Sequence, residues 1–283
     1  MIATPLNKSK LDSIFDDQAK EVISFFIFKA VFSQPELVTG QKAIPIQIPK
    51  EHIEQWGVQA LGANSVGAGS YPVDLIDESK GYAADIKMLS FSPKTDKGND
   101  ANGESGETSL SQKFEDENLD EKFVKSDHNA IIAAWIKILN DKFLPIIKNK
   151  KIKKIYYFIF IRERDYEILN DNEGRRFHLC AMEVDTSKFH ILSHKKTLKK
   201  SIKVKNFIDD DYGSIKVYKS KKRMELRLRP RKWIETNKVI TFDLGKISSE
   251  IKDLKETSIE EKYLHSIKDF KRLYKNILEY EEE

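Results

Sequence analysis

The stretch YPVDLIDESKGYAADIKMLS, residues 71–90, reads as a β-hairpin that carries two aspartates and a lysine. Val73 and Leu75 alternate with Asp74 and Ile76, DESKG at 77–81 has turn chemistry, and alternation resumes over 82–89. Successive strand side chains point to opposite faces. Asp85 and Lys87 therefore share one face, and Ala84, Ile86 and Met88 take the other. Asp-x-Lys spacing recurs at Asp253 and Lys255 and at Asp269 and Lys271, but on expected helices, where positions two apart do not face each other.

Upstream, Leu11, Ile14, Phe15, Ala19, Val22, Phe26, Lys29, Ala30 and Phe32 follow helical spacing and predict one amphipathic helix over 11–33, closed by Pro35. A second helix is expected over 50–61, between Pro49 and Gly62. Gly62, Gly67 and Gly69 then mark a loop that permits close backbone approach to a ligand. It is no phosphate-binding loop, because no Gly-Lys-Ser/Thr ends it.

Downstream, 91–106 is polar and reads as a loop insertion, followed by a short helix with Thr108 or Ser109 as N-cap and Leu110 and Phe114 four apart. A stronger helix is expected over 126–144, burying Ile131, Ala134, Trp135, Ile138 and Phe143 and stopped by Pro145. The uncharged run 155–161 reads as a central strand covered on both faces, and 177–185 as another. Hairpin, helix, strand, strand implies an α/β (α+β) fold with a mixed central sheet flanked by helices. Residues 189–243 read as basic strands. In MELRLRP, Met224, Leu226 and Leu228 face a core and Glu225, Arg227 and Arg229 the other side, a cationic ribbon. The remainder is helical, with Ser258 and Glu261 as a capping box. The division expected is a core over 1–188 and a basic β-rich region with C-terminal helices over 189–283, packed on the core as one domain.

Charge follows that division. Residues 1–125 hold 13 Lys and Arg against 20 Asp and Glu, and 126–283 hold 36 against 25, so positive charge gathers where a polyanion would be met. The apolar run 22–32 is too short to span a bilayer, which argues against a membrane anchor or signal peptide. One cysteine, Cys180, in an apolar run, fits a buried thiol in a reducing cytoplasm.

Two aspartates on adjacent strands suit Mg²⁺, which takes a few carboxylate oxygens and keeps several waters. A lysine on the same face orients or deprotonates an attacking water and stabilises charge on a phosphate. Rival constellations are weaker. Glu183 and Asp185 share a strand face without a following lysine, His190 and His194 make no zinc set, and serine and cysteine hydrolase signatures are missing.

Pro72, Val73 and Asp74, then Asp85, Ile86 and Lys87, followed by helix, strand and strand, resemble the PD-(D/E)xK nuclease superfamily, and within it most closely the type II restriction endonucleases. The resemblance covers about 50–185. It implies a restriction-endonuclease-like core, Mg²⁺ held by Asp74, Asp85 and the carbonyl of Ile86, and Lys87 as catalytic lysine. Many members add a helical glutamate, for which Glu54 and Glu51 are best placed and Glu21 is a weaker choice. Glu107 and Gln112 are a candidate accessory acid and amide. Candidate DNA contacts are Lys222, Arg223, Arg227, Arg229 and Arg231, with Asn64 and Ser65 in the glycine loop. The function implied is sequence-specific cleavage of double-stranded DNA by a homodimer paired with a cognate DNA methyltransferase. The alternatives are a related nuclease of transposition, CRISPR-type defence or repair, and a DNA-binding protein without catalysis.

Overall fold

A computed structural model describes residues 1–32, 48–66, 72–91, 107–112, 118–163, 176–219 and 223–243. It is a mixed α+β fold with two sheets. In sheet A the order is β2 (Asn64–Ser65), β3 (Leu75–Asp77), β4 (Tyr82–Phe91), β6 (Lys154–Glu163), β7 (Arg176–Val184). The far edge of β7 is shared by β1 (Ala3–Pro5) and β12 (Ile240–Asp243). Among the described strands only β4 and β6 run parallel, as the ends of a βαβ unit; the other described pairs are antiparallel. Sheet B is antiparallel in the order β5 (Glu107–Gln112), β11 (Arg223–Leu228), β10 (Gly213–Tyr218), β9 (Ser201–Lys205), β8 (Ser193–Leu198).

Alternation decides which face of sheet A meets which layer. Tyr82, Ala84, Ile86, Tyr156, Phe158, Phe160, Leu179 and Ala181 pack beneath α1 (Lys8–Ile14), α2 (Asp17–Phe32) and α3 (Lys50–Leu61). The opposite rows, with Ala83, Leu89, Tyr157, Ile159, Cys180 and Met182, share a second core with α5 (His128–Lys148) and the inner face of sheet B. α5 is thus clasped between the sheets. Trp135 and Phe143 are fully buried on it, and Ile202, Val217, Met224 and Leu226 close the same core from sheet B. Sheet A has helices on one face and α5 on the other, so the run 155–161 is covered on both sides, as its lack of charge requires.

Caps and turns explain where the elements stop. The helix expected over 11–33 is two helices, because Asp16 accepts from the Ala19 amide at 2.9 Å and starts α2 afresh after Phe15. α3 ends at Gly62 in the left-handed conformation (φ 60°). Asp127 caps α5 by accepting from Ala130 N at 2.9 Å. Pro145 does not stop α5, which runs on to Lys148. Pro145 and Asp141, whose carbonyl loses its helical donor, both lie on the exposed side, while Phe143 and Ile146 stay anchored in the core. In the hairpin turn, Asp77 accepts from Ser79 Oγ at 2.6 Å and Lys80 N at 2.9 Å, and Gly81 supplies the positive φ of 72°.

Two further expectations are corrected. The short helix placed at Thr108 or Ser109 is instead strand β5, paired with β11 across a bulge at Met224/Glu225; the short helix, α4 (Leu119–Val124), comes later. Phe114 lies outside the described residues. The polar side of β11 is not an open cationic ribbon. Glu225 is 0% exposed, ion-paired with Arg223, and stands opposite Lys216, itself 8% exposed. Arg227 and Arg229 are half-buried, and Arg231, in the short α6 (Pro230–Glu235), is exposed. A buried acid therefore interrupts the positive charge. Lys222, residues 92–106 and the helices expected beyond 243 lie outside the described residues.

The regions expected as 1–188 and 189–283 exchange strands. β5 joins sheet B and β12 joins sheet A, while the Ile2 and Ala3 amides donate to Asn206 and Phe207 carbonyls at 3.0 and 2.6 Å. Because α5 serves both sheets, Trp135→Ala should lower stability by about 3–5 kcal/mol. Urea unfolding should remain a single transition at lower midpoint; separate melting of the two sheets would contradict the shared core.

Candidate active site

β3 pairs with β4 over only Leu75↔Ala84, Ile76↔Ala83 and Asp77↔Tyr82. β4 continues to Phe91, held by β6 along its whole length. At the point where β3 and β4 part, the Asp74 amide still donates to the Ala84 carbonyl at 2.9 Å, but the next β4 amide, Ile86 N, donates to the Asp74 carboxylate at 2.5 Å. A side chain has replaced a strand carbonyl. N–H and C=O of one strand residue point to the same edge, so the Ile86 carbonyl opens to this fork as well. The Ile86 side chain lies on the other face against α3 at Gly57, where an added Cβ would collide with it.

The fork brings Asp74 and Asp85 together. Asp85 is 3% exposed, and Lys87 makes an ion pair with its Oδ1. Burial, then the charge of Asp85, raises the Asp74 carboxyl to about 7, against the pull of the Ile86 amide and Lys87. Tyr157 stands directly across from Asp85 on β6, its hydroxyl buried without a hydrogen-bond partner; burial and the Asp85 charge push its pKa well up.

Two more lysines reach this region. Lys142 of α5 lies 3.5 Å from Asp85 Oδ2 and donates to the Leu110 carbonyl of β5 at 2.6 Å. Burial lowers its pKa, and the pull of Asp85 does not restore it. Lys50, at the start of α3, pairs with Glu54 at 2.7 Å. Burial opposes its charge, but Glu54, then Asp74 and Asp85, outweigh that and hold its pKa up. Of the expected accessory acids, Glu54 is therefore the half-buried one at the margin of the site, whereas Glu51 and Glu21 are exposed. The side chains of Glu107 and Gln112 lie outside those described. Asn64 and Ser65 form the exposed edge strand β2, and the Val66 amide donates to the Asp74 carbonyl at 3.2 Å, so they border the fork. The rival acids are occupied elsewhere. Glu183 pairs with Lys10 at 2.6 Å, and Asp185 caps the 3-10 turn through Ser187.

Lys142 escaped the sequence reading although a signal was present. Ile131, Trp135, Ile138, Lys142 and Ile146 follow one another at helical steps of four and three, so a cation occupies a position in an apolar stripe. A polar residue at a core position is more informative than the stripe around it.

No protein-family model, curated protein or solved structure matches the chain. Among the described residues no group of three or more His, Cys, Asp and Glu gathers as a metal site, and no helix is long and apolar enough to cross a membrane. The residues at the fork nonetheless fit a hard divalent cation. The half-buried Asp74 feels the charge of the buried Asp85, the carbonyl edge of Ile86 adjoins them, and all the donors are oxygen.

The raised Asp74 pKa has a definite sign. The folded protein holds this proton up to about pH 7 while the unfolded chain releases it near 3.8, so the fold loses stability as pH rises between those values. Asp74→Asn should therefore raise the melting temperature at pH 8 without divalent metal, by the equivalent of roughly 2–4 kcal/mol. At pH 4 it should change little. Melting curves at the two pH values check this; equal shifts at both would refute the assignment.

Proposed function

We propose that the chain is a Mg²⁺-dependent endodeoxyribonuclease with a restriction-endonuclease-like core, acting on double-stranded DNA in the manner of a type II restriction enzyme. The observation that carries the reading is the fork at which Asp74 and Asp85 meet, with Lys87 on the second acid. Such a site needs acids to hold a cation, a cation against phosphate and a group that handles a proton.

Asp74, Asp85 and the Ile86 carbonyl are the residues that would hold Mg²⁺, which when bound polarises a phosphate and makes water more acidic. Lys87 has one donor engaged by Asp85 and offers others to an attacking water or to phosphate oxygens as their charge grows. Hydroxide adds to phosphorus while the bond to the leaving oxygen breaks, and that oxygen takes up a proton. Glu54 is held by Lys50, whose ammonium also feels the charges of Asp74 and Asp85, and it is the accessory acid this reading favours. The half-buried Arg223 and Arg227 on β11, with Arg229 and the exposed Arg231 at the start of α6, supply positive charge for a DNA backbone. A homodimer, cutting both strands of a palindrome, and a cognate methyltransferase complete this reading.

The test is incubation with unmethylated plasmid DNA and Mg²⁺. Discrete fragments are expected, abolished by chelation and reduced about a thousandfold in Asp85→Ala and Lys87→Ala. Intact DNA across Mg²⁺, Mn²⁺ and Ca²⁺, with DNA still bound, would leave a binding protein without catalysis.

A further inference from the structure

We propose that Lys142 is a second lysine of the reaction centre, whose ammonium meets the phosphate of a nucleic-acid strand laid over Asp74 and Asp85. The inference rests on the nuclease reading and adds to it a residue that neither the hairpin nor its spacing contains.

The first ground is charge. Asp85 is met on both oxygens, by Lys87 at Oδ1 and by Lys142 at Oδ2. Asp74 accepts from the Ile86 amide, and Glu54 already has Lys50. Two lysines thus share one carboxylate that is almost closed to water. Placing a second cation in a poorly hydrated site costs free energy that the pair does not return. An incoming anion of single charge, a phosphodiester, does return it.

The second ground is the donor count. An ammonium has three N–H groups. The Leu110 carbonyl takes one at 2.6 Å and Asp85 lies at 3.5 Å from the nitrogen, which leaves a donor for a ligand. The side chain is still 22% exposed, so it can be reached from outside. The third ground is rigidity. Lys142 stands on α5 between the buried Leu139 and Phe143, and its tip is fixed to β5, which lies against β4 as well as pairing with β11. A cation held by two sheets is positioned before the strand arrives, which reduces the ordering cost of binding.

A role purely as a strut between Leu110 and Asp85 makes a different prediction, and two measurements separate them. Binding of a short fluorescent DNA duplex without divalent metal is measured against salt for the wild type, Lys142→Met and Lys142→Arg. Met keeps the apolar stem and removes the charge. Loss of one phosphate contact should make the slope of log K against log salt shallower by about 0.9 and weaken binding roughly tenfold at low salt, with Arg restoring the slope. Ca²⁺ binding without DNA should be unchanged or tighter in Lys142→Met, since a competing cation has left Asp85. An unchanged DNA slope, or weakened Ca²⁺ binding with that slope intact, overturns the proposal in favour of the strut. Should Lys142→Met not fold, Lys142→Gln is measured in its place under the same criteria. The two readings fail separately. Cleavage that survives in Lys142→Met with an unchanged slope removes this inference and leaves the nuclease. A slope that falls in a protein that cuts no DNA with any divalent metal removes the nuclease and leaves the phosphate contact.

Discussion

The hydrogen bond from the Ile86 amide to the Asp74 carboxylate is the interaction on which the candidate site depends. A strand amide buried beside a departing neighbour must find an acceptor or lose its hydrogen bond. Asp74 supplies that acceptor and in doing so is drawn toward Asp85, where burial and the charge of Asp85 act on it. The same bond marks the place where two strands cease to pair, so one contact ends the ladder and brings the two acids together. β4 can leave β3 there because β6 holds its other edge from Tyr82 through Phe91.

That support is inherited from α5. The helix covers one face of sheet A, carries the core of sheet B on its other side, and delivers Lys142 to Asp85. A βαβ connection needs only a helix that covers the sheet; this one is apolar over enough of its circumference to receive a second sheet as well. The face of sheet A that carries Asp85 is consequently covered by β5 and α5, and the opposite face by α1, α2 and α3. Charges placed in such a layer are poorly hydrated, which is why Asp74 holds its proton above the ordinary range.

How much of this was legible in the sequence depended on distance along the chain. The hairpin with Asp74, Asp85 and Lys87 could be read because its strands, its turn and its alternation fall within 71–90. The inward set Met224, Leu226 and Leu228 was legible for the same reason. β5 reads as a helix because a hydroxyl-rich run such as TSLS suits a cap as well as a strand, and its partner β11 lies more than a hundred residues away. Pro145 is a weak stop because a solvent-facing proline can be carried within a helix. Alternation in β11 reports only which side is apolar, not whether the polar side is wet, and the buried Glu225 shows cover on that side too. Lys142 required both the true end of α5 and the placement of β5 above it.

β7 is the strand on which the chain closes. Its outer edge receives β1 from one end of the described chain and β12 from the other, the β1 ladder ending at Pro5↔Met182 and the β12 ladder starting at Ile240↔Leu179. Until both arrive, that edge presents open main-chain amides and carbonyls, a template for adventitious pairing with other strands. Pairings this far apart in sequence are slow to form. During synthesis the hairpin emerges early, yet sheet A is completed only after residue 243 is available. A partly made chain therefore passes through a stage in which its acids are already present and its sheet is adhesive, and the handling of that stage, by dilution or by chaperones, governs the yield of folded protein.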